Sequence, residues 1–438
     1  MHIIQQLLFI LVLGVAAFLL FKRIQFIKKG IKLGKPLDRT DNSSARWRSM
    51  LLVAFGQKKM FKNPLPALLH LFVYVGFVVI NIEVFEFIID GVAGTHRIFA
   101  PFLGSFYTVL LSFFEFLSVS VFVACAIFLI RRNIIRVPRF HKPEMKTWPT
   151  LDANLILIFE ILLTSAILLM NASDQALQAK GAEHYTHTGK LFFSSFLVPL
   201  FQNSQVSTLI VLERFFWWFH ILGILGFAVY VTYSKHLHIF MAFPNTYFAN
   251  LNPMGEMANM DSVTNEVKLM LGLPLEGDAS APPAEVGRFG AKDVNDLTWK
   301  SLMDSFTCTE CGRCTAECPA NQTGKKLSPR AIMMATRDRV EDVLKGEKGL
   351  EDGKSLLGDY ISKEEINACT SCNACVEACP VLIDPLSIIL ELRRYISMEE
   401  SGSPAAWNAM FQNIETNFAP WKFAPTDRFN WAEDLKKI

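Results

Sequence analysis

The chain has 438 residues, 51% of them hydrophobic and 12% aromatic, and a formal net charge of +2. A mean hydropathy of +0.28 is too high for an ordinary soluble protein, and the length allows two or three domains. Basic residues bunch between apolar runs, which excludes a nucleic-acid-binding face, and eight of nine cysteines fall in two tight clusters, which excludes a secreted disulfide framework.

Five apolar stretches of spanning length follow one another, at about residues 3–21, 65–89, 105–130, 153–170 and 206–234. The first has no basic n-region and no small-residue cleavage site, so it is expected to remain as an anchor. The third contains Cys125, a helix-packing residue; the fourth is short and carries Glu160. Twelve Lys and Arg, from Lys22 to Lys62, separate the first two stretches, and six, from Arg131 to Lys146, separate the third and fourth. The opposite connections hold Arg97, Lys180 and Lys190. Lys and Arg stay on the cytoplasmic side, so the N-terminus is expected outside and everything after the fifth span inside.

Next, LPLEGDASAPPAEVGRFGAKD has no periodic apolar face and reads as a linker over roughly 273–293. Beyond it, SPRAIMMATRDRVEDVLKG and PLSIILELRRYISMEE have helical spacing, each opened by a proline behind a Ser or Asp cap. Strand signals are few. The last 38 residues are polar and aromatic, with Trp407, Trp421 and Trp431.

CTECGRCTAECP at 308–319 returns as CTSCNACVEACP at 369–380; both read CxxCxxCxxxCP. Three cysteines spaced by two residues wrap one face of an iron–sulfur cubane, while the fourth, followed by proline, reaches the other cluster. Cys308, Cys311, Cys314 and Cys379 are therefore assigned to one [4Fe-4S] cluster, and Cys369, Cys372, Cys375 and Cys318 to the second. Zinc is the alternative, but its sites use two CxxC pairs with a long gap.

Histidine inside a bilayer is rare unless it binds something. His70 lies early in the second span, His220 within the fifth, and YSKHLHI closes that span with His236 and His238. If the helix is continuous, the 18 residues from His220 to His238 are five whole turns, about 27 Å on one face, with His236 turned about 160° away. One face would then present imidazoles to two stacked b-type haems. His70 could serve either; position 80 on the same span is Ile80, so the missing partner is His187 or His184, if HTGKLFFSSFLVPLF dips back, or that iron is five-coordinate. The bland alternative is that His236 and His238 sit at the headgroup boundary while His70 and His220 bond neighbouring helices.

The long helical spacer between the motifs, with LSPRAIMM after the first, resembles the all-helical dicluster ferredoxins of heterodisulfide reductase, anaerobic glycerol-3-phosphate dehydrogenase and succinate dehydrogenase-type iron–sulfur subunits. Such domains pass single electrons and do no substrate chemistry. The five-span layout resembles the cytochrome b subunit of respiratory nitrate reductase, although that family carries two histidines on its second span. FHILGILGFAVYVTYSKHLHIFMAFPNTYFANLNPMG is similar to the membrane-bound iron–sulfur oxidoreductases related to heterodisulfide reductase, including the proposed electron-transfer-flavoprotein:menaquinone oxidoreductases, and this likeness covers nearly the whole chain. The family usually continues into cysteine-rich CCG domains. No cysteine follows Cys379 here, so the resemblance implies a separate cytoplasmic subunit carrying them, or an electron-transfer flavoprotein, as partner.

Glu83, Glu86, Glu115, Glu213 and Arg214 fall in the outer halves of their spans and could exchange protons with a quinol; the alternative is interhelical Arg–Glu pairing. GEKGLEDGKS is not a phosphate loop, since Lys348 stands where its first glycine belongs, and no GxGxxG marks a nicotinamide or flavin site.

The expected fold is mainly α: a five-helix transmembrane bundle of cytochrome b type followed by a cytoplasmic all-helical dicluster [4Fe-4S] ferredoxin domain. Residues 1–240 form the haem-binding bundle, 241–298 a linker, 299–400 the ferredoxin domain, and 401–438 a tail that contacts a partner. The expected function is that of a membrane electron-transfer subunit of a quinone-linked oxidoreductase in a prokaryotic inner membrane, with one or two b haems, two [4Fe-4S] clusters and menaquinone as substrate. The alternative is a haem-free anchor docking a ferredoxin domain; redox-coupled transport lacks the broken helices and inverted repeats it would need.

Overall fold

The structure, a computed structural model, describes residues 3–274 and 288–435, so residues 275–287 of the expected linker lie outside the described residues. Among the described residues no strand forms. Five long helices lead the chain: α1 (Ile3–Ile31), α2 (Pro64–Ala93), α3 (Ser105–Asn133), α4 (Trp148–Ala179) and α5 (Val206–Val231). Each is long and apolar enough to cross a membrane. At about 1.5 Å per residue, all exceed a hydrocarbon core of about 30 Å, and their ends project beyond it.

α4 runs well past its apolar stretch. Its last turns are polar but buried, with Asn171, Ser173, Asp174 and Gln175 inside the bundle. They stay helical because their side chains find partners there: Arg97, from the α2–α3 connection, donates to Asp174 Oδ2 at 2.5 Å and Asn171 Oδ1 at 2.9 Å. Hydropathy cannot register a segment whose polar groups are satisfied by a distant loop.

The helices close a ring, α1 on α2, α2 on α3, α3 on α4, α4 on α5 and α5 back on α1. The α4–α5 contact is close because Gly223 leaves room for the Leu163 side chain, which a Cβ there would strike.

α6 (His238–Tyr247) follows a break after α5 and packs on α7 (Trp299–Thr307). α8 (Pro329–Lys345) and α9 (Pro385–Met398) complete the core of the second region. Their starts follow from the sequence: Ser328 accepts from the Ala331 amide and Asp384 from the Ser387 amide, and each helix opens with proline, whose missing N–H costs nothing in a first turn. Leu302, Ile332, Ile388 and Leu392 fill this core; burying each contributes roughly 1.5–3 kcal/mol.

The two regions share packing. The end of α1 reaches this second core through Ile27, and Gly30 lies against Phe306 and Val340. Within the stretch expected as linker, residues 241–247 belong to α6, and Ala291, Val294 and Leu297 are buried in the core. The tail forms α10 (Ala405–Asn417) with no buried residue, and Trp407, Trp421 and Trp431 are exposed.

Candidate functional site

The two cysteine motifs fold alike. In each, the residues flanking the second cysteine take positive φ: Glu310 at 54° and Gly312 at 71° in the first, Ser371 at 56° and Asn373 at 60° in the second. A short helix follows, Arg313–Ala316 or Ala374–Ala378, and the last cysteine is extended, with φ and ψ of −75° and 117° at Cys318 and −73° and 123° at Cys379. The short helices pack against each other, which brings the motifs together. The supports repeat too. Eight residues after the opening prolines of α8 and α9, Arg337 donates to Glu310 Oε1 at 2.8 Å and Arg393 to Ser371 Oγ at 3.2 Å.

This arrangement lines one cavity with Cys308, Cys311 and Cys314 of the first motif and Cys379 of the second. Cys318 in turn lies within electrostatic reach of Cys369 and Cys372, and Cys375 of Cys369 and Cys318. Cys314 also feels Cys375, so the two sets adjoin. Among the described residues no three acidic, His or Cys side chains converge on a single ion; the sulfurs surround a space. Burial pushes the thiols of Cys308, Cys375 and Cys379 up to about 12, so a thiolate there needs nearby positive charge. Some help comes from the backbone, since the Ser371 and Ile383 amides donate to the Cys369 and Cys379 sulfurs at 3.3 Å. Cys372 is exposed, whereas Cys308 and Cys379 are buried.

The histidines are not arranged as a continuous helix would have them. α5 ends at Val231, and Ser234 then accepts the His236 amide through its side chain, starting a new turn over Lys235–Leu237. The five-turn register between His220 and His238 is therefore lost. Instead His70 and His238 face each other with ring centres 6.4 Å apart and planes at 38°, and His236 stands 5.3 Å from His238. The Nδ1 atoms of His70 and His238 bond Gln57 Oε1 and the Lys235 carbonyl, both at 3.1 Å. Those acceptors fix the proton on Nδ1 and leave each Nε2 with a free lone pair. His220 is buried apart from them, bonding the Leu163 carbonyl through Nδ1 at 2.9 Å, with Phe87 5.6 Å away. His184 and His187 are exposed. HTGKLFFSSFLVPLF does fold back along the bundle, but it does so to place the Phe193 and Ser194 amides on Glu115, and His187 accepts only the Gly189 amide among the described residues.

Three of the expected carboxylates are committed to structure. Glu115 also accepts from Asn171 and the Ser194 hydroxyl. Glu86 accepts from the Tyr107 hydroxyl and the Phe99 amide. Glu213 holds Arg214 through both oxygens and accepts from Tyr185. Glu83 accepts no hydrogen bond from the described residues, although it is 6% exposed.

Sequence reasoning missed the residues that join the two regions. Lys235 pairs with Glu310 at 2.5 Å, Arg23 with Glu341 at 2.6 Å, and Arg330 with Glu144 at 2.7 Å. Burial raises the Glu310 carboxyl, but the Arg337 and Lys235 cations outweigh it and hold it below the usual range. Lys59 lies 3.6 Å from Glu377, between Cys375 and Cys379, and Asn245 donates to the Val381 carbonyl. The available signal was a basic residue beside each membrane end and an acidic one inside each motif, which names no pairing.

Comparison with known proteins agrees with this layout. Residues 303–383 match the 4Fe-4S dicluster domain family. The chain is 26% identical over 465 aligned positions to the "Probable iron-sulfur-binding oxidoreductase FadF" of Bacillus subtilis, covering 99% of this chain and 61% of that protein. It is 27% identical over 428 positions to the "EtfAB:quinone oxidoreductase" of Syntrophomonas wolfei, covering 91% of this chain and 55% of the relative. Over 153 residues it is 27% identical to one component of the "Dihydromethanophenazine:CoB--CoM heterodisulfide reductase" of Methanosarcina mazei, covering 33% of this chain and 37% of the relative. The chain thus spans a little over half the length of the first two relatives. No solved structure matches it. A helical bundle carrying a 4Fe-4S dicluster domain, with these relatives, makes the chain similar to the iron–sulfur oxidoreductases related to heterodisulfide reductase.

Proposed function

We propose that this chain is the membrane electron-transfer subunit of a quinone-linked oxidoreductase, exchanging electrons between menaquinone and a partner at the ferredoxin end. The likeness to a relative named for a quinone supports the substrate class, and the same name supports an electron-transfer flavoprotein as partner. The alternative partner is a separate cytoplasmic subunit with CCG domains, which the likeness to components of multi-subunit heterodisulfide reductases supports. The crowding of Lys and Arg around the ferredoxin end supports a cytoplasmic location for that domain.

The observation that carries the reading is the spacing of His70 and His238. Two metal–imidazole bonds of about 2 Å, with roughly 1 Å more to each ring centre, set the rings of a bis-imidazole iron roughly 6 Å apart. The pair stands at 6.4 Å with both Nε2 atoms free. His70 and His238 would then hold an inner b haem between them, with Gln57 and the Lys235 carbonyl orienting the two rings. His220 would hold a second haem through its other nitrogen. Cys308, Cys311, Cys314 and Cys379 hold one [4Fe-4S] cluster, and Cys318, Cys369, Cys372 and Cys375 the other. When bound, these groups supply single-electron carriers from the bundle into the ferredoxin domain. The exposure of Cys372 supports the second cluster as the one nearer the partner.

A reduced-minus-oxidised optical spectrum of the purified protein tests the reading. Sharp b-type bands beside broad iron–sulfur bleaching are expected; bleaching alone leaves the haem-free anchor.

A further inference from the structure

A second cavity lies at the other end of the bundle. From His70 to Glu83 along α2 is 13 residues, about 20 Å away from the ferredoxin end. There Glu83, His96 and Arg97 meet Phe87, Met170 and Trp217 around an open-sided cavity.

Most polar groups at this cavity already have partners. Asp90 accepts from Thr95 and from the Arg97 and Ile98 amides. Arg97 is held by Asp174, Asn171 and Tyr107. Glu86 and Glu213 are bonded as described above. Two groups are left over. Glu83, 6% exposed, lines the cavity and accepts no hydrogen bond from the described residues. Among the described residues His96 has a buried Nδ1 without a hydrogen bond, while its Nε2 is 3.8 Å from Asp174 Oδ1, itself without one. Buried polar groups are rarely left unpaired, and an orphan carboxylate on the wall of a cavity marks a place for a ligand that donates to it.

The walls restrict that ligand. Phe87 and Trp217 stand 6.1 Å apart between ring centres, and Met170 belongs to the same apolar cluster. A small cation or a free anion would waste these surfaces, whereas a flat aromatic headgroup with polar atoms on opposite edges uses both the walls and the orphans. Phe87 also touches His220, so the cavity is one side chain from a proposed haem ligand.

We infer that this cavity binds the headgroup of the quinone, with Glu83 accepting from one ring hydroxyl of the quinol and His96 contacting the other oxygen. The inference rests on the quinone-linked reading and gives it a location. His96 lies outside the predicted spans, in the α2–α3 connection, and was not among the expected site residues.

The test is fluorescence titration of the full-length protein in detergent with an alkyl hydroxyquinoline N-oxide, a fluorescent quinol analogue quenched on binding. Wild type is expected to quench it saturably, and added menaquinone to displace it. Glu83→Gln and His96→Ala should each weaken binding at least tenfold with the iron–sulfur absorbance unchanged, while Glu160→Gln, a membrane carboxylate outside the cavity, binds as wild type. Should either pocket variant unfold, Phe87→Ala supplies the same comparison. Displaceable binding that none of the pocket variants weakens overturns the site and leaves the quinone-linked reading standing. If wild type binds no probe the site is also overturned, and if menadiol then fails to reduce the clusters, the quinone-linked reading falls with it.

Discussion

Lys235 and Glu310 form a buried ion pair at 2.5 Å, with one partner beside His236 and the other between Cys308 and Cys311. It ties the histidine turn to the first cysteine motif. Arg337 holds Glu310 from the other side at 2.8 Å, so the carboxylate is clamped between the bundle and α8.

Glu310→Gln leaves Lys235, 9% exposed, without its close counter-charge. Breaking a buried pair from one side costs about 3–5 kcal/mol. The expected outcome is earlier thermal loss of the 4Fe-4S absorbance while the bundle keeps its helical signal. Equal midpoints for variant and wild type would remove the pair from the account of how the regions are held.

His70→Ala and His238→Ala should abolish the same b-type optical component, because each leaves the other imidazole without its opposite ligand. His220→Ala should remove a different component. All three leave the electron paramagnetic resonance of the iron–sulfur centres in place. Separate components lost by His70→Ala and His238→Ala would mean that the two rings do not share an iron.

Crossed cysteine ligation gives an asymmetric prediction. Cys379→Ser should damage the cluster held by the 308–314 motif, and Cys318→Ser the one held by the 369–375 motif. Mössbauer or paramagnetic resonance spectra of the two variants should therefore lose opposite signals, each matching the loss seen on replacing Cys311 or Cys372 respectively. The reverse match would refute the crossing.

Arg339 is fully buried and holds Asp293 at 2.7 Å and Asp352 at 2.6 Å. Arg339→Met should cost about 3–5 kcal/mol at neutral pH, since Asp293 stays buried without its cation. Hydrogen bonds from Arg339, then the Lys354 amide, hold the Asp352 carboxyl at about 2, below its usual value of 3.8. A depressed carboxyl contributes stability above its unfolded value and loses it only as pH falls through the folded one. The difference in denaturation midpoint between Asp352→Asn and wild type should thus be the same at about pH 7 and about pH 5. A difference that shrinks over that interval contradicts the assignment.

Much of the architecture was legible because its signals are local. Apolar runs of spanning length gave the five helices, and the Ser-Pro and Asp-Pro steps gave the starts of α8 and α9. The register of His238 was not legible. Nothing in VYVTYSKHLHIF forbids helix, and the break is set by Ser234 capping the His236 amide and by Asp152 accepting the Lys235 amide from α4. The polar end of α4 was missed for the same kind of reason, since Arg97, 77 residues away from Asp174, is what makes it bearable inside.

By itself the sequence determined the composition of the parts: which segments suit a bilayer, which cysteines travel as a set of four, and which helices begin at a capped proline. Those are properties of neighbours in the chain, written as spacing and hydropathy. Only the tertiary structure decided that His70 meets His238, that Lys235 pairs with Glu310, and that Glu83 has no donor among the described residues. Each of these depends on groups far apart in sequence being brought within a few ångströms, and burial, which fixes whether a polar group must find a partner, exists only once the chain has folded.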